Sequence, residues 1–91
     1  MKERPTLIGR PQLLKTVALC YDISIHTEAD CFFSYSPHVN RFDVQFFEFG
    51  WAQGAKGEYL AFSEEITPET LHAVNKKLVA ILDRLLPTEE D

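Results

Sequence analysis

Two thiols and two imidazoles, at Cys20, His26, Cys31 and His38, make up the ligand set of a structural zinc site. Their spacing does not suit one. Five, four and six residues intervene, and no CxxC or HxxxH knuckle offers two ligands from a single turn. We expect no metal and no cofactor. Nucleophilic catalysis by Cys31 with His38 would need hydrogen-bond contact and a third, orienting group, for which Asp30, Asp43 and Glu48 are only nominal candidates. There is no nucleophile elbow, and no glycine-rich loop joins a strand to a helix to cradle a phosphate. A chain of 91 residues also has little material for both a core and a concave pocket. The expectation is a protein that is not an enzyme.

What the chain does have is aromatic surface. Six of its seven phenylalanines lie between Cys31 and Trp51. At a strand's period of two, Phe33 and Tyr35 oppose Phe32, while Phe47, Phe49 and Trp51 oppose Phe42, Val44 and Phe46. A lone antiparallel sheet normally buries one face and wets the other. Here both faces call for cover, which predicts helices on one side and a partner, a second copy of the chain foremost, on the other. Phe33, Tyr35, Phe47, Phe49 and Trp51 are the candidate binding residues. Trp51 stands among Gly50, Gly54 and Gly57 and has two readings, a ring folded back over the core edge or an interface anchor.

Charge narrows the choice of partner. The formal net charge is -5 and it is unevenly spread. Lys2, Arg4, Arg10 and Lys15 oppose Glu3 alone in residues 1–16, whereas the rest of the chain carries five basic and thirteen acidic residues. An acidic body repels phosphate backbones, so nucleic acid is not the expected partner. Bases stacked on Phe33, Tyr35, Phe47 and Phe49 remain physically feasible, but buried in a protein interface the same rings need no basic groove. Glu48, Glu58, Glu64, Glu65 and Glu69 form a candidate acidic rim that would suit a basic protein. No run approaches the roughly 18 apolar residues of a membrane span, and the start Met-Lys-Glu-Arg-Pro has no apolar leader core, so no membrane association is expected. Cys20 and Cys31 then read as reduced, buried thiols of a cytoplasmic protein, with a disulfide as the alternative.

The elements that must position these residues follow from periodicity. Residues 1–10 read as a flexible basic arm, 11–87 as one α+β domain and 88–91 as an acidic tail. A short helix is expected from Pro11 to Tyr21 with Leu14, Val17, Ala18 and Tyr21 as its apolar face and Leu13 and Cys20 beside it, Pro11 sitting in the first turn where its missing N–H costs nothing. Asp22 to Thr27 alternates at period two, the pattern of an opening strand, which Glu28-Ala-Asp then interrupts. Cys31–Ser36 and Phe42–Phe49 form a hairpin around Pro37 and Asn40, with a bulge expected where the apolar register switches between Phe46 and Phe47. A third strand runs over Glu58–Ser63. A second helix starts with Thr67 as N-cap and Pro68 at its first position, carries Leu71, Val74, Leu78, Ile81 and Leu85 on one seam, and stops at Pro87. The predicted fold is α-β-β-β-α, a three-stranded antiparallel sheet with both helices on one face.

That order resembles double-stranded-RNA-binding domains in topology. Those domains rely on a basic helix start, and here the place is taken by Thr67-Pro-Glu-Thr-Leu-His. The run Ala29-Asp-Cys-Phe-Phe-Ser-Tyr-Ser-Pro-His-Val-Asn, followed by Phe-Glu-Phe-Gly-Trp, resembles small uncharacterised proteins of phages and prophages of Gram-positive bacteria, over residues 29–63. The resemblance implies a mobile-element context, in which small acidic proteins often block host machinery. The leading expectation is a non-enzymatic binding protein that self-associates through its aromatic sheet face. An acidic inhibitor of a host nucleic-acid-binding protein or immune nuclease is the first alternative, and a nucleic-acid-binding module the second.

Overall fold

In the computed structural model, which describes residues 10–86, every predicted element forms in the predicted order: α1 (Arg10–His26), β1 (Asp30–Ser36), β2 (Arg41–Phe47), β3 (Glu58–Glu65) and α2 (Pro68–Leu85). The strands make one antiparallel sheet in the order β1-β2-β3, and α1 packs on β1 and α2 while α2 packs on β3. The fold is α+β, with both helices on the same face of the sheet. Residues 1–9 of the expected arm, the stop at Pro87 and the tail 88–91 lie outside the described residues.

α2 begins as its sequence requires. Thr67 accepts the Thr70 N–H at 3.1 Å, and the Thr70 hydroxyl accepts the Thr67 N–H at 3.0 Å, so each residue satisfies one otherwise orphaned donor. Leu71, Val74 and Leu78 are buried along the seam, with Ile81 and Leu85 packed against the same core. The hairpin turn also follows its residue chemistry: the Asn40 N–H donates to the Pro37 carbonyl, and Asn40 adopts the left-handed conformation (φ 53°) that asparagine tolerates best after glycine.

α1 departs from expectation twice. It runs through His26, so Asp22–His26 is helix and not strand. Ser24 and Thr27 direct their hydroxyls onto the Cys20 and Ile23 carbonyls one turn back, at 3.0 and 2.6 Å, which satisfies acceptors at the helix end. The helix also buries a different face: Thr16, Leu19, Cys20 and Ile23 point inward, while Leu14, Val17, Ala18 and Tyr21 are exposed. Apolar residues occur all round this helix, so periodicity alone had no face to choose.

Tertiary partners chose it. Thr16 Oγ1 lies 2.5 Å from Asn75 Oδ1, and Asn75 Nδ2 donates to the Gln12 carbonyl at 3.1 Å, a buried polar link between the two helices. Around it lie Phe42, Val44, Phe46 and Ala61 from the sheet with Leu71, Val74 and Leu78 from α2. Each large side chain fully buried there contributes about 1.5–3 kcal/mol relative to exposure.

The bulge is also elsewhere. β1 and β2 pair without interruption from Asp30–Phe47 to Ser36–Arg41, through the point where a register switch was expected. The irregularities fall between β2 and β3, at the steps Phe42/Val44 and Val44/Gln45.

Candidate interaction surface

The helices cover the sheet face that carries Cys31, Phe42, Val44, Phe46 and Ala61. The opposite face is built by cross-strand pairing. Phe32 pairs with Gln45 and Gln45 with Tyr59, so these three side chains form one row across the sheet. Phe62 joins the row from the side, its ring edge-on to Tyr59 with centroids 4.8 Å apart. Phe32, Tyr59 and Phe62 are all exposed, Phe62 to 66%.

Strict alternation would put Tyr59 and Phe62 on opposite faces. The irregular pairing removes that conflict. Val44 pairs with Ala61 and the next residue, Gln45, with Tyr59, which leaves Leu60 unpaired and packed against the core beside Ala61. On the other side, Phe42 pairs with Glu64, so Phe62 and Ser63 together span the single residue Asp43. The Asp43 carboxylate accepts the Ser63 N–H at 2.6 Å, and the Arg41 guanidinium donates to the Ser63 carbonyl at 2.6 Å. Ser63 takes φ 48°. Phe62, next after the inward Ala61, faces outward, and this local cross-strand clamp holds the second irregularity just beyond it.

Phe47 lies on the outer face too, edge-on to Phe32 with centroids 5.6 Å apart, yet it is only 5% exposed. The loop after β2 covers it: a Cβ on Gly57 would stand 2.6 Å from Phe47 Cζ, so the glycine backbone lies directly against the ring. The same loop carries Phe49, 89% exposed, and Trp51, whose ring is exposed while its backbone N–H donates to Asp30 Oδ2 at 2.7 Å.

Of the five aromatic residues expected on one surface, the structure therefore separates two. Phe33 is on the helix-covered side, half-buried and stacked on Phe42 with centroids 6.0 Å apart. Tyr35 pairs with Phe42 on that same side and stays exposed near the end of β1. Phe47 is a floor to the outer face and not a contact surface, and Phe49 and Trp51 belong to the loop. The residues that sequence reasoning missed are Phe32, Tyr59 and Phe62. Burial of Cys31 against Cys20 would have assigned Phe32 correctly, but nothing in the residue order of β3 reveals its two irregularities.

The five acids do not line one face. Glu48 is paired with Arg84 at 3.1 Å. Glu58 and Glu64 pair with Phe46 and Phe42 on the helix side, whereas Glu65 pairs with Arg41 on the outer side, and Glu69 is in the first turn of α2. α1 presents a separate exposed stripe of Leu14, Val17, Tyr21 and Ile25, spaced along one side of the helix.

The thiols and imidazoles do not converge. The Cys31 thiol hydrogen-bonds the Cys20 sulfur at 3.4 Å, while His26 and His38 are exposed. Among the described residues, no three His, Cys, Asp or Glu side chains are grouped to hold a metal ion, and no helix is long and apolar enough to cross a membrane. No protein-family model matches this chain, and neither a curated protein nor a solved structure matches it.

Proposed function

We propose that this chain is a non-enzymatic protein-binding module that self-associates through the helix-free face of its sheet. The observation that carries the reading is the joint exposure of Phe32, Tyr59 and Phe62 on a face that α1 and α2 leave uncovered. Neighbouring exposed aromatic rings on a small domain mark an association site, and a face that meets its own copy about a two-fold axis gives a closed dimer. The sheet and the Phe47 floor provide a rigid platform, so little conformational freedom is lost on pairing.

The charge-based alternatives have weaker support. A nucleic-acid mimic needs its acids along one face, and here Glu48 is neutralised by Arg84 while the others are divided between two sides. RNA binding in the manner of the topologically similar domains needs a basic start to α2, where Glu69 stands instead. The likeness of residues 29–63 to phage and prophage proteins makes a host protein the natural competitor for the same face.

Size-exclusion chromatography with light scattering at micromolar concentration tests the reading. The wild-type protein should run as a dimer at both low and high salt, since an apolar interface is not screened. Tyr59→Lys and Phe62→Lys should give folded monomers, and Tyr21→Lys, on the α1 stripe, should remain dimeric. A monomeric wild type, or a dimer lost only with Tyr21→Lys, overturns it.

A further inference from the structure

The two cysteines play no part in that surface, yet they are arranged for chemistry of their own. Cys20 comes from the middle of α1 and Cys31 from the start of β1, and their Sγ atoms lie 3.4 Å apart inside the core. Both are nearly closed off, 4% and 8% exposed. A single hydroxyl ties their backbones together: Ser24 Oγ donates to the Cys20 carbonyl at 3.0 Å and accepts the Cys31 N–H at 3.0 Å. The turn between them is tied as well, with Thr27 Oγ1 accepting the Ala29 N–H at 3.0 Å. The two sulfurs are therefore held facing each other by the hydrogen bonds of Ser24 and Thr27. An S–S bond is about 2.05 Å long, so the sulfurs need to close by only about 1.4 Å, within reach of small side-chain rotations.

We propose that Cys20 and Cys31 are a peroxide-oxidisable dithiol, a modification site that closes to an intramolecular disulfide joining α1 to β1. The inference is independent of how the sheet face is used. In the first step the Cys20 thiolate attacks one oxygen of hydrogen peroxide. The S–O bond forms, the O–O bond breaks, and hydroxide leaves and is protonated to water, giving Cys20 sulfenic acid. In the second step the Cys31 sulfur attacks the Cys20 sulfur. The S–S bond forms, the S–O bond breaks, and the departing hydroxide leaves as water with the proton from Cys31. Two thiols and one peroxide give one disulfide and two waters, and the two electrons pass from the sulfurs to the peroxide.

Geometry assigns the roles. The Cys31 S–H donates a hydrogen bond to the Cys20 sulfur, which favours Cys20 as the thiolate and lowers its pKa against the opposing effect of burial. Cys31 keeps its proton, because that hydrogen bond and its own burial both raise its pKa. Burial also selects the oxidant. At 4% and 8% exposure the pair leaves no room for a bulky disulfide such as oxidised glutathione to form a mixed disulfide, whereas hydrogen peroxide is about the size of two water molecules and needs the least displacement of the surrounding side chains.

The test uses the reduced, native full chain. It is treated with hydrogen peroxide, unfolded, alkylated and weighed intact, then digested. The expected result is a mass lower by two hydrogens with no alkyl adducts, a linked peptide pair containing Cys20 and Cys31, and two adducts restored by dithiothreitol. The disulfide removes loop-closure entropy from the unfolded chain, so the oxidised chain should also melt higher by several degrees. Oxidised glutathione in place of peroxide should leave both thiols free. Two adducts remaining after a peroxide dose that oxidises the urea-unfolded chain would overturn the proposal, as would disulfide-linked dimers in place of the internal bond. In Cys31→Ser the reaction should stop at a sulfenic acid on Cys20 that dimedone captures. Equal or faster capture at Cys31 in Cys20→Ser would overturn the assignment of Cys20 as the attacking sulfur.

Discussion

Tyr59 and Phe62 stand edge-to-face with ring centroids 4.8 Å apart and planes 69° apart, although an ideal strand would send them to opposite sides of the sheet. Their meeting is the product of the irregular step at Val44/Gln45 in the pairing of β2 with β3, where Leu60 is the extra residue between them. It adds Phe62 to the row of Phe32, Gln45 and Tyr59, and so creates the exposed aromatic face on which the proposed self-association rests.

Ser63 carries the backbone cost of the other irregular step, at Phe42/Val44. At φ 48° a side chain with a Cβ is disfavoured by about 1–2 kcal/mol, whereas glycine is not. Ser63→Gly should be neutral or stabilise by up to about 1 kcal/mol, and Ser63→Val should destabilise by about 1–2 kcal/mol. Urea midpoints of the two variants check the sign. Equal destabilisation by both would mean that the serine side chain, and not its backbone angle, matters at this position.

Thr16 and Asn75 set the face that α1 buries. Thr16→Val keeps the side chain's shape and removes its hydroxyl, leaving Asn75 Oδ1 in the core without its 2.5 Å partner. A loss of about 1–3 kcal/mol follows from an unsatisfied buried acceptor. Combining it with Asn75→Leu should cost less than the sum of the single changes, because both halves of one polar link are then gone. Strictly additive values in a double-mutant cycle would count against this coupling.

Gly57 is where the loop meets Phe47. Alanine there would bring a Cβ within 2.6 Å of Phe47 Cζ and 2.8 Å of Gln45 Nε2, and the Phe47 ring is buried and braced by Phe32. Gly57→Ala should destabilise by about 1–3 kcal/mol, the usual range for overpacking. It should also lift the loop, changing the emission of Trp51. Gly54→Ala meets nothing within 4 Å, so its penalty is limited to the strain of φ 85°, about 1–2 kcal/mol. Unchanged Trp51 emission in Gly57→Ala would show that the ring yields and the loop does not.

Thiolate absorbance gives the pH prediction. The hydrogen bond from Cys31 lowers the Cys20 pKa, so a first thiolate should appear at a lower pH than in the unfolded chain. The second should be held back, since Cys31 is raised by that same hydrogen bond and by burial. Cys31→Ala removes the donor and leaves desolvation unopposed, so the Cys20 titration should move upward in pH. A downward move would contradict the assigned cause.

Much of the architecture was legible without coordinates. α2 could be read to its first residue because Thr67, Pro68 and the Leu71-Val74-Leu78 seam all specify the same local structure. The hairpin and the three-stranded sheet followed from aromatic-rich runs punctuated by Pro37 and Asn40. Those features depend on neighbours within one turn or one strand, and sequence order records such neighbours directly. The candidate surface was legible only in part. Both sheet faces carry aromatic residues, but Phe33 packs against the core, Phe47 is covered by the loop, and Phe32, Tyr59 and Phe62 form the exposed group. Only tertiary structure decided those placements. α1 is apolar on all sides, so its orientation was set by contacts with Asn75 and Cys31, many residues away. A strand irregularity reverses the facing of the residues beyond it until a second one restores it, and the two in β3 exist only as a mismatch with β2.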